Sequence, residues 1–458
     1  METTTLKTTP LNKWHREHHA NMADFGGFDM PLWYDSGVKN EHLAVIESAG
    51  IFDTSHMACV MVTGGDALKL LQLCHTRDLA ALKDGRCVYG VILNEKGHVI
   101  DDAIVYRFTL HHYMVCVNAG MGGDVAAHMN AHRGAMDVMV DDLSEKLAKM
   151  DIQGKNSARI LSKIIENPES VFEKMPYFSF KGYFNDIPPW SMGALKSETT
   201  YKTETPDPSG TIYKSGTTYD SVVKLKNGTP ILLSRSGYTG EFGFELFVDP
   251  GAIVNLWDDI LKAGKEYGIM ACGLGARDSL RAGSVLPLSH QDVGPWKFMN
   301  NPWMFALPLK ENYQIKGDGT LDISSFTKDF IGKDALVKPD GITHTFPFVG
   351  ENLRKVSSGE GTRVIDGDGN DMGHVLTCAT DMAIGWNNGR IYSIASPDIP
   401  EGFKAKGLCC GFIQVNRSME PGERVTLQEK KRKIEVKIID DIRPDRTARR
   451  KISDFTAL

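Results

Sequence analysis

The sequence lacks the features that define several large classes of protein. It contains no run of about 18 apolar residues, so no membrane-spanning helix is predicted. Residues 1–7 lack the apolar core of a secretion signal. The eight cysteines are scattered, and no two of them have the Cys-x-x-Cys spacing of zinc or disulfide motifs. We therefore expect neither a metal centre nor a disulfide framework, and a reducing, cytoplasmic location.

Strong positive charge and nucleotide-binding motifs are absent as well. The 52 basic residues face 58 acidic residues, and the net charge of −6 argues against nucleic acid as a partner. The sequence has no P-loop, no Gly-x-Ser-x-Gly elbow and no strand-linked Gly-x-Gly-x-x-Gly, which argues against NTPases, α/β-hydrolases and dinucleotide enzymes. Residues 15–19 are rich in histidine but lack the order of a zinc-protease motif, and residues 366–371 only imitate a calcium loop. We interpret them as a polar helix face and a hairpin turn.

What is present is a globular composition in which helices and strands alternate. At roughly 150 residues per domain, 458 residues suggest about three domains. Periodicity predicts helices over residues 11–22, 39–47, 66–74, 122–132, 158–165, 253–266 and 275–282, with a loop at 25–31. It predicts strands over residues 58–63, 87–93, 98–108, 113–118, 148–153, 230–235 and 244–248. The order indicates an α+β fold with antiparallel hairpins.

Two further regions differ in composition from the rest. Residues 168–228 are rich in Pro, Ser, Thr, Tyr and Lys, and we interpret them as a long surface excursion. After about residue 345 the sequence becomes rich in strands and turns, which is typical of a small β-barrel or sandwich.

Acidic residues within apolar strands are the strongest functional signal. Asp101 and Asp102 interrupt the strand of residues 99–106, and Glu245 lies between phenylalanines and aliphatic residues. Side chains alternate between the faces of a strand, so one of the two aspartates points inward, where an unpaired carboxylate costs several kcal/mol. Either the inward aspartate is structural, held by backbone N–H groups, or it belongs to a site. Glu245 is either solvent-facing or able to accept two parallel N–H bonds from a guanidine-like heterocycle.

Seven blocks in this sequence resemble, in order, those of the glycine cleavage T-protein (aminomethyltransferase) family. They cover most of residues 6–336 and are jointly highly specific. The blocks are residues 6–11 (LKTTPL), 24–31 (DFGGFDMP), 50–57 (GIFDTSHM), 97–102 (GHVIDD), 236–241 (SGYTGE), 273–281 (GLGARDSLR) and 329–336 (DFIGKDAL).

The resemblance implies a three-domain, cloverleaf-like aminomethyltransferase fold with a C-terminal β-barrel and tetrahydrofolate, a co-substrate, in a central cavity. Residues 1–340 would form the folate-binding region, as two interleaved α+β domains with an insertion near 168–228, and residues 341–458 the barrel. Asp102 matches the family's essential acid beside the reactive folate nitrogens. Glu245 matches the carboxylate that holds the pterin edge. The remaining positions match residues that contact folate or line its cavity, namely Tyr89, Asn118, Tyr238 and Arg277.

The donor of the one-carbon group is less well defined by the resemblance. The insertion, residues 287–297 and residues 440–451 depart from the family pattern, so the folate half of the pocket looks retained and the donor half altered. The donor is either an aminomethyl group on a lipoyl carrier protein or a small molecule. In the second case the chain would be a tetrahydrofolate-dependent demethylase of a sulfonium or aryl methyl ether compound.

Two alternatives from other classes share this fold. A non-catalytic folate-binding helper would carry a Lys-Gly-Cys-Tyr-type motif, and the corresponding stretch here, residues 235–238, has no cysteine. A folate domain of a flavin-linked amine dehydrogenase would follow a dinucleotide fold, whereas the family match begins at residue 6. We therefore expect a one-carbon transferase.

Overall fold

The structure, a computed structural model, describes residues 5–185 and 222–456. Its α-helices are α1 Asn12–Glu17, α2 Gly37–Glu47, α3 Ala67–Cys74, α4 Gly122–His132, α5 Ser157–Ser162, α6 Pro168–Phe172, α7 Ile253–Gly264, α8 Leu274–Gly283 and α9 Lys333–Leu336. None of the helices in these two ranges is both long enough and apolar enough to cross a membrane.

The strands fall into an N-terminal group and a C-terminal group. The first comprises β1 Asn21–Phe25, β2 Phe28–Trp33, β3 Gly50–Asp53, β4 Ala58–Thr63, β5 Arg86–Leu93, β6 Val99–Thr109, β7 His112–Val117, β8 Met139–Asp142, β9 Ala148–Gln153, β10 Phe180–Gly182, β11 Leu232–Ser234, β12 Gly243–Val248 and β13 Met270–Ala271. The second comprises β14 His344–Gly350, β15 Gly359–Ile365, β16 Asp371–Asp381, β17 Ile384–Asn387, β18 Arg390–Ser393, β19 Leu408–Val415, β20 Arg424–Glu429 and β21 Arg432–Ile438.

Two large sheets, besides the two-stranded β1–β2 sheet, form the N-terminal part of the molecule. The first has the order β5-β6-β7-β4-β8 and is antiparallel throughout. The second has the order β10-β11-β12-β9-β3-β13, and only its β13–β3 pair is parallel. α3 and α4 cover one face of the first sheet, and α5, α6 and α7 cover one face of the second.

The uncovered faces of the two sheets pack against each other. Tyr106 and Phe108 of β6 meet Phe180 of β10 and Phe247 of β12 in edge-to-face contacts, with ring centroids 5.0–5.6 Å apart. Such contacts stabilise a core beyond the burial of apolar area. Because side chains alternate along a strand, Asp102 and Glu245 lie on these same inter-sheet faces, beside Tyr106 and Phe247 respectively.

Six of the eight C-terminal strands close into a barrel of order β14-β19-β16-β15-β20-β21, and β17 and β18 form a separate two-stranded sheet. The interior of the barrel is apolar, and α8 packs between β16 and the first part of the molecule. The α+β fold with a C-terminal barrel is thus confirmed, whereas the domain boundary at residue 340 stays a prediction. The turn at 366–371 is the hairpin turn predicted from the sequence, with Asp366 accepting bonds from the backbone N–H groups of Asp368 and Asn370.

The prediction of a helix over 11–22 is confirmed only for residues 12–17, and the prediction of a loop over 25–31 is wrong. α1 ends at Glu17, because His19 adopts the left-handed conformation, with φ 57°. β1 and β2 then form a hairpin around Gly26 and Gly27, whose φ angles are 57° and 82°. Two consecutive glycines with positive φ form the two-residue turn whose twist matches antiparallel strands.

The prediction of a surface excursion over 168–228 is also wrong at both ends of that segment. α6 buries Val171 and Phe172 in the core, β10 joins the second sheet, and Val223 and Leu225 are buried. The rest of the predicted excursion, residues 186–221, lies outside the described residues. Strands β3 and β8 were not predicted, because each has only four residues and neither shows a clear alternation of apolar and polar side chains.

Candidate active site

A cavity of about 400 Å³ opens where the packing between the two sheets stops. This volume is within the range of small-molecule sites. Its wall includes residues of β5, β6, β12 and α8, together with the loops that carry Asn118, Tyr238 and residues 287–291. All six residues predicted for the site line this cavity, namely Tyr89, Asp102, Asn118, Tyr238, Glu245 and Arg277.

The two aspartates of β6 have different environments. Asp101 is fully buried and accepts bonds from the backbone and side chain of Asn118, at 2.8 and 2.7 Å, and from Ser289 Oγ at 2.7 Å. Asp102 faces the cavity and accepts bonds from Tyr89 OH at 3.0 Å and Asn118 Nδ2 at 2.6 Å. Asp101 is therefore the structural member of the pair, and Asp102 is the one available to a ligand.

Proximity of the two carboxylates changes their protonation. Burial, followed by the charge of Asp101, raises the pKa of Asp102 to about 7, against the opposing effect of the bonds from Asn118 and Tyr89. Burial also raises the pKa of Asp101. A carboxyl group that titrates near neutral pH can hold or release a proton during a reaction, as general acid–base catalysis requires.

Glu245 is buried and belongs to a chain of alternating charges. Its Oε1 accepts a bond from Lys149 Nζ at 2.6 Å, and its Oε2 accepts bonds from Ser236 Oγ and from Tyr106 OH, the latter at 3.4 Å. It is only 4% exposed, so the solvent-facing alternative is wrong. A carboxylate has about four lone-pair positions, so these bonds leave acceptor capacity toward the cavity.

This series of alternating charges continues from Lys149 through Asp151 to Arg277. Lys149 Nζ also donates to Asp151 Oδ1 at 2.7 Å, and Arg277 Nη1 donates to Asp151 Oδ2 at 2.6 Å. Although burial disfavours an ionised carboxylate, Lys149 and Arg277 lower the pKa of Asp151 to about 2. The Arg277 guanidinium lies 5.0 Å from the centre of the Tyr238 ring, whose hydroxyl donates to the carbonyl of Pro287. One continuous network therefore fixes three of the predicted residues.

Three residues of the site escaped sequence reasoning: two that hold Glu245 and Arg277 from behind, and one on the cavity wall itself. Lys149 and Asp151 alternate along β9, a pattern equally typical of a solvent-facing strand. His56 lines the cavity; burial lowers its pKa to about 4, and its Nδ1 has no hydrogen-bond partner among the described residues. His56 lies within the block of residues 50–57, which resembles the family, but this resemblance did not single out the histidine.

The histidines of residues 15–19 form no common site. His15 is fully buried and bonds to Asp53 Oδ2 at 3.0 Å and to Tyr34 OH at 2.8 Å. His18 stacks on Trp14, with ring centroids 3.7 Å apart. The interpretation as a polar helix face is thus wrong for His15, which is a hydrogen-bonded core residue.

Comparison with solved structures defines the fold class. The chain resembles the crystal structure of glycine cleavage system aminomethyltransferase T from Bartonella henselae, with a TM-score of 0.69 and 22% identity over 95% of this chain and 97% of that one. The molecule therefore has the aminomethyltransferase fold.

Comparison of sequences defines the family. The family model described as the GCVT N-terminal domain matches residues 11–192 and 217–298. An aminomethyltransferase of Clostridium botulinum (strain Okra / Type B1) is 34% identical over 373 residues, which is 81% of this chain and 85% of the relative. One of Alkaliphilus oremlandii (strain OhILAs) is 32% identical over 335 residues, 73% of this chain and 75% of the relative. The chain belongs to the glycine cleavage T-protein (aminomethyltransferase) family.

Proposed function

We propose that this chain transfers a one-carbon group, aminomethyl or methyl, from a donor to N5 of tetrahydrofolate. The observation that carries the proposal is the pair of carboxylates on one cavity: Glu245, held by Lys149, and Asp102, whose pKa is close to neutral. Membership of the aminomethyltransferase family supports the same reaction class.

The cavity fits a reduced pterin in size and in the chemistry of its wall. Glu245 offers a buried acceptor to the neighbouring N–H donors of the pterin ring, and charge-assisted bonds of this kind are about twice as strong as neutral ones. His56 adds an unsatisfied buried nitrogen, in the described part of the chain, on the same wall. Tetrahydrofolate supplies the nucleophilic amine that accepts the carbon.

Asp102 would govern the proton and the charge at the reacting centre. In its ionised form it stabilises positive charge that develops beside it, and it can take up the proton released by the accepting amine. Tyr89 and Asn118 fix its orientation from two sides, so little reorganisation is needed at the moment of reaction. Correct positioning of donor and acceptor can itself contribute roughly 7–11 kcal/mol in favourable cases.

The donor side supports a second candidate, a tetrahydrofolate-dependent demethylase. Pro287, Leu288 and Gln291 line the cavity, and they lie in residues 287–297, one of the segments that depart from the family pattern. Ser289 of the same segment bonds to Asp101. A changed segment in contact with the acid pair favours a donor other than a lipoyl carrier protein, such as a small sulfonium or aryl methyl ether compound.

The proposal is tested by identifying the folate product by mass. Enzyme and tetrahydrofolate are incubated with an aminomethylated lipoyl carrier, a sulfonium compound or an aryl methyl ether, with the Asp102→Asn variant as the matched control. Methylene-tetrahydrofolate from the carrier supports the T-protein reaction, and methyl-tetrahydrofolate supports the demethylase.

The same experiment distinguishes the remaining class. If tetrahydrofolate binds but every donor is left unchanged, the chain is a non-catalytic folate-binding helper and the transferase proposal is overturned. If tetrahydrofolate does not bind at all, both proposals fail.

A further inference from the structure

Three potential metal ligands meet outside the cavity. Cys74 is the last residue of α3, and His128 and His132 lie one turn apart on α4, which packs against α3. One ligand atom from each lies within 4.8 Å of the other two. Residues four apart on a helix lie on the same face, so the spacing directs both imidazoles toward the same point.

The hydrogen bonds of His132 select the nitrogen that can bind a metal. Its Nδ1 lies 2.9 Å from the carbonyl oxygen of His128. A carbonyl oxygen only accepts, so Nδ1 carries the proton and, in the neutral ring, Nε2 carries the free lone pair. Metal-binding histidines typically donate their other N–H to a carbonyl or carboxylate in this way, which fixes both tautomer and ring orientation.

His128 provides a second, independent observation. Its Nε2 is buried and has no hydrogen-bond partner among residues 5–185 and 222–456. A buried polar atom without a partner costs about 1–3 kcal/mol, so such atoms call for an explanation. A metal ion bound by this nitrogen would remove the cost.

The surroundings leave room for a fourth ligand. Glu95, in the turn between β5 and β6, places its Oε1 3.4 Å from His132 Nε2. Glu95 is exposed, so either its carboxylate or a water molecule can complete a tetrahedron. The ligand atoms lie within 4.8 Å of one another, and a small inward movement of the side chains would give the metal–ligand bonds of about 2.0–2.3 Å that zinc requires.

We propose that Cys74, His128 and His132 bind a borderline-soft divalent cation of the zinc class. One thiolate and two imidazoles favour Zn²⁺ or Co²⁺ over Mg²⁺ and Ca²⁺, which prefer oxygen ligands. On binding, the Cys74 thiol releases its proton to solvent and the sulfur forms a bond to the metal. The ion would join α3, α4 and the β5–β6 turn. None of the three ligands lines the cavity, so this site is independent of the proposed function.

The test uses Co²⁺ as a spectroscopic probe on the untagged, metal-stripped full-length protein. We expect the wild type to bind one equivalent, with a thiolate-to-cobalt charge-transfer band in the near ultraviolet that Zn²⁺ abolishes by displacement. Cys74→Ser should lose that band. His128→Ala should weaken binding at least about 100-fold, the upper end of what loss of an outer-shell partner costs. His111→Ala, at an exposed turn, is the matched control and should bind like the wild type.

The proposal has clear points of failure. A wild-type protein that binds no stoichiometric Co²⁺ overturns it, and so does an unchanged charge-transfer band in Cys74→Ser. Circular dichroism checks that each variant is folded. His132→Gln keeps the test informative if His128→Ala does not fold, because His132 is half-buried and its replacement removes the same class of ligand.

Discussion

At the scale of single residues, the site depends on Asn118, whose side-chain amide binds both Asp101 and Asp102. Its one amide nitrogen donates to both Asp101 and Asp102, at 2.7 and 2.6 Å. This uses both of its N–H bonds and holds two carboxylates side by side that would otherwise repel each other. Burial and the charge of the neighbouring Asp101 raise the pKa of Asp102, and the bond from Asn118 only partly offsets this rise.

Replacement of Asp102 by Asn should separate catalysis from binding. The amide has nearly the same size but cannot take up a proton, so we expect turnover to fall by about 10²–10⁴. The dissociation constant for tetrahydrofolate should change by less than about threefold, under 1 kcal/mol. Steady-state kinetics and calorimetric titration measure the two quantities. Equal loss of both would mean that Asp102 is structural.

The pH profile should report the same group. Asp102 acts as a carboxylate, and its raised pKa means that it is protonated below about pH 7. We therefore expect kcat/KM to fall toward acid pH with a midpoint near 7 and to level off above it, since this ratio reports the free enzyme. Initial rates at substrate concentrations well below KM across that range test this. A midpoint near the ordinary carboxyl value of about 4 would contradict it.

Glu245 should control folate affinity rather than turnover. Glu245→Gln replaces a charge-assisted bond by a neutral one, so we expect the dissociation constant for tetrahydrofolate to rise about 10-fold, with kcat little changed. Glu241→Gln is the control: Glu241 is equally buried and ion-paired, with Arg443, but does not line the cavity. The carbonyl oxygen of a glutamine can still accept a bond from Arg443, so the loop stays held, and we expect Glu241→Gln to lower stability and leave folate affinity unchanged. Unchanged folate affinity in Glu245→Gln together with weaker folate affinity in Glu241→Gln would exclude Glu245 as a pterin ligand.

At the scale of secondary-structure elements, the β1–β2 hairpin positions part of the cavity wall. Phe25 and Leu32 of these strands line the cavity. The turn packs closely at one glycine only: a Cβ on Gly26 would lie 2.8 Å from Ala119 Cβ, whereas one on Gly27 would meet nothing within 4 Å. Both glycines have positive φ.

Alanine substitutions at the two glycines should therefore differ. Gly27→Ala should lower the free energy of unfolding by about 1–2 kcal/mol, because alanine disfavours the left-handed backbone conformation. Gly26→Ala has the same unfavourable backbone conformation, and its new methyl group must also displace Ala119. We therefore expect a larger loss of stability than in Gly27→Ala. Folate binding should also weaken, because the neighbouring Phe25 moves. Urea denaturation and folate titration measure both effects. Equal behaviour of the two variants would mean that the contact with Ala119 is unimportant.

Prediction from sequence succeeded for elements with strong periodicity and failed where tertiary contacts decide. The strands β5, β6 and β7 and the helix α7 were predicted to within a few residues, because their apolar patterns are long. The hairpin after α1 was missed because its residues lack a clear alternation of apolar and polar side chains, leaving the two glycines as the main local signal. β3 and β8 are strands mainly because neighbouring strands offer them backbone partners.

At the scale of the whole molecule, Arg443 joins regions that are distant in sequence. It is fully buried and pairs with Asp381 of β16 at 2.5 Å and with Glu241 at 3.2 Å. It also donates to Ser284 Oγ, just after α8, at 2.6 Å. The barrel, α8 and the loop that carries Tyr238 are therefore held by one guanidinium.

Arg443→Met should be strongly destabilising. It leaves two buried carboxylates without their cation, and removal of one partner of a buried ion pair typically costs about 3–5 kcal/mol. Arg424→Met is the control, because Arg424 pairs with Glu351 and Glu435 at the surface, where such a pair contributes under about 1 kcal/mol. Urea unfolding of both variants is the measurement. Similar losses in the two would show that the buried network is not stabilising.

From the sequence, a residue of the candidate site could be predicted only where its chemical type or the resemblance to the family indicated it. All six residues predicted from the sequence line one cavity, and three of them, Asp102, Tyr238 and Arg277, lie within blocks that resemble the family. Lys149 and Asp151 were missed because their partners Glu245 and Arg277 are 96 and 126 residues away, a proximity that only the folded chain creates. The cluster of Cys74, His128 and His132 was missed for the same reason.

The position of Arg443 also sets an order for biosynthesis. The ribosome makes residues 443–448 after the cavity residues, yet Arg443 and Thr447 bind Glu241, and the backbone of Ala448 bonds to Gly240, three and two residues from Tyr238. A nascent chain in which residues 443–448 have not yet been synthesised lacks the contacts that hold the loop carrying Tyr238. Under the proposed function, the ability to bind tetrahydrofolate would therefore arise late, only after residue 448 has been translated, and incomplete chains would not bind it.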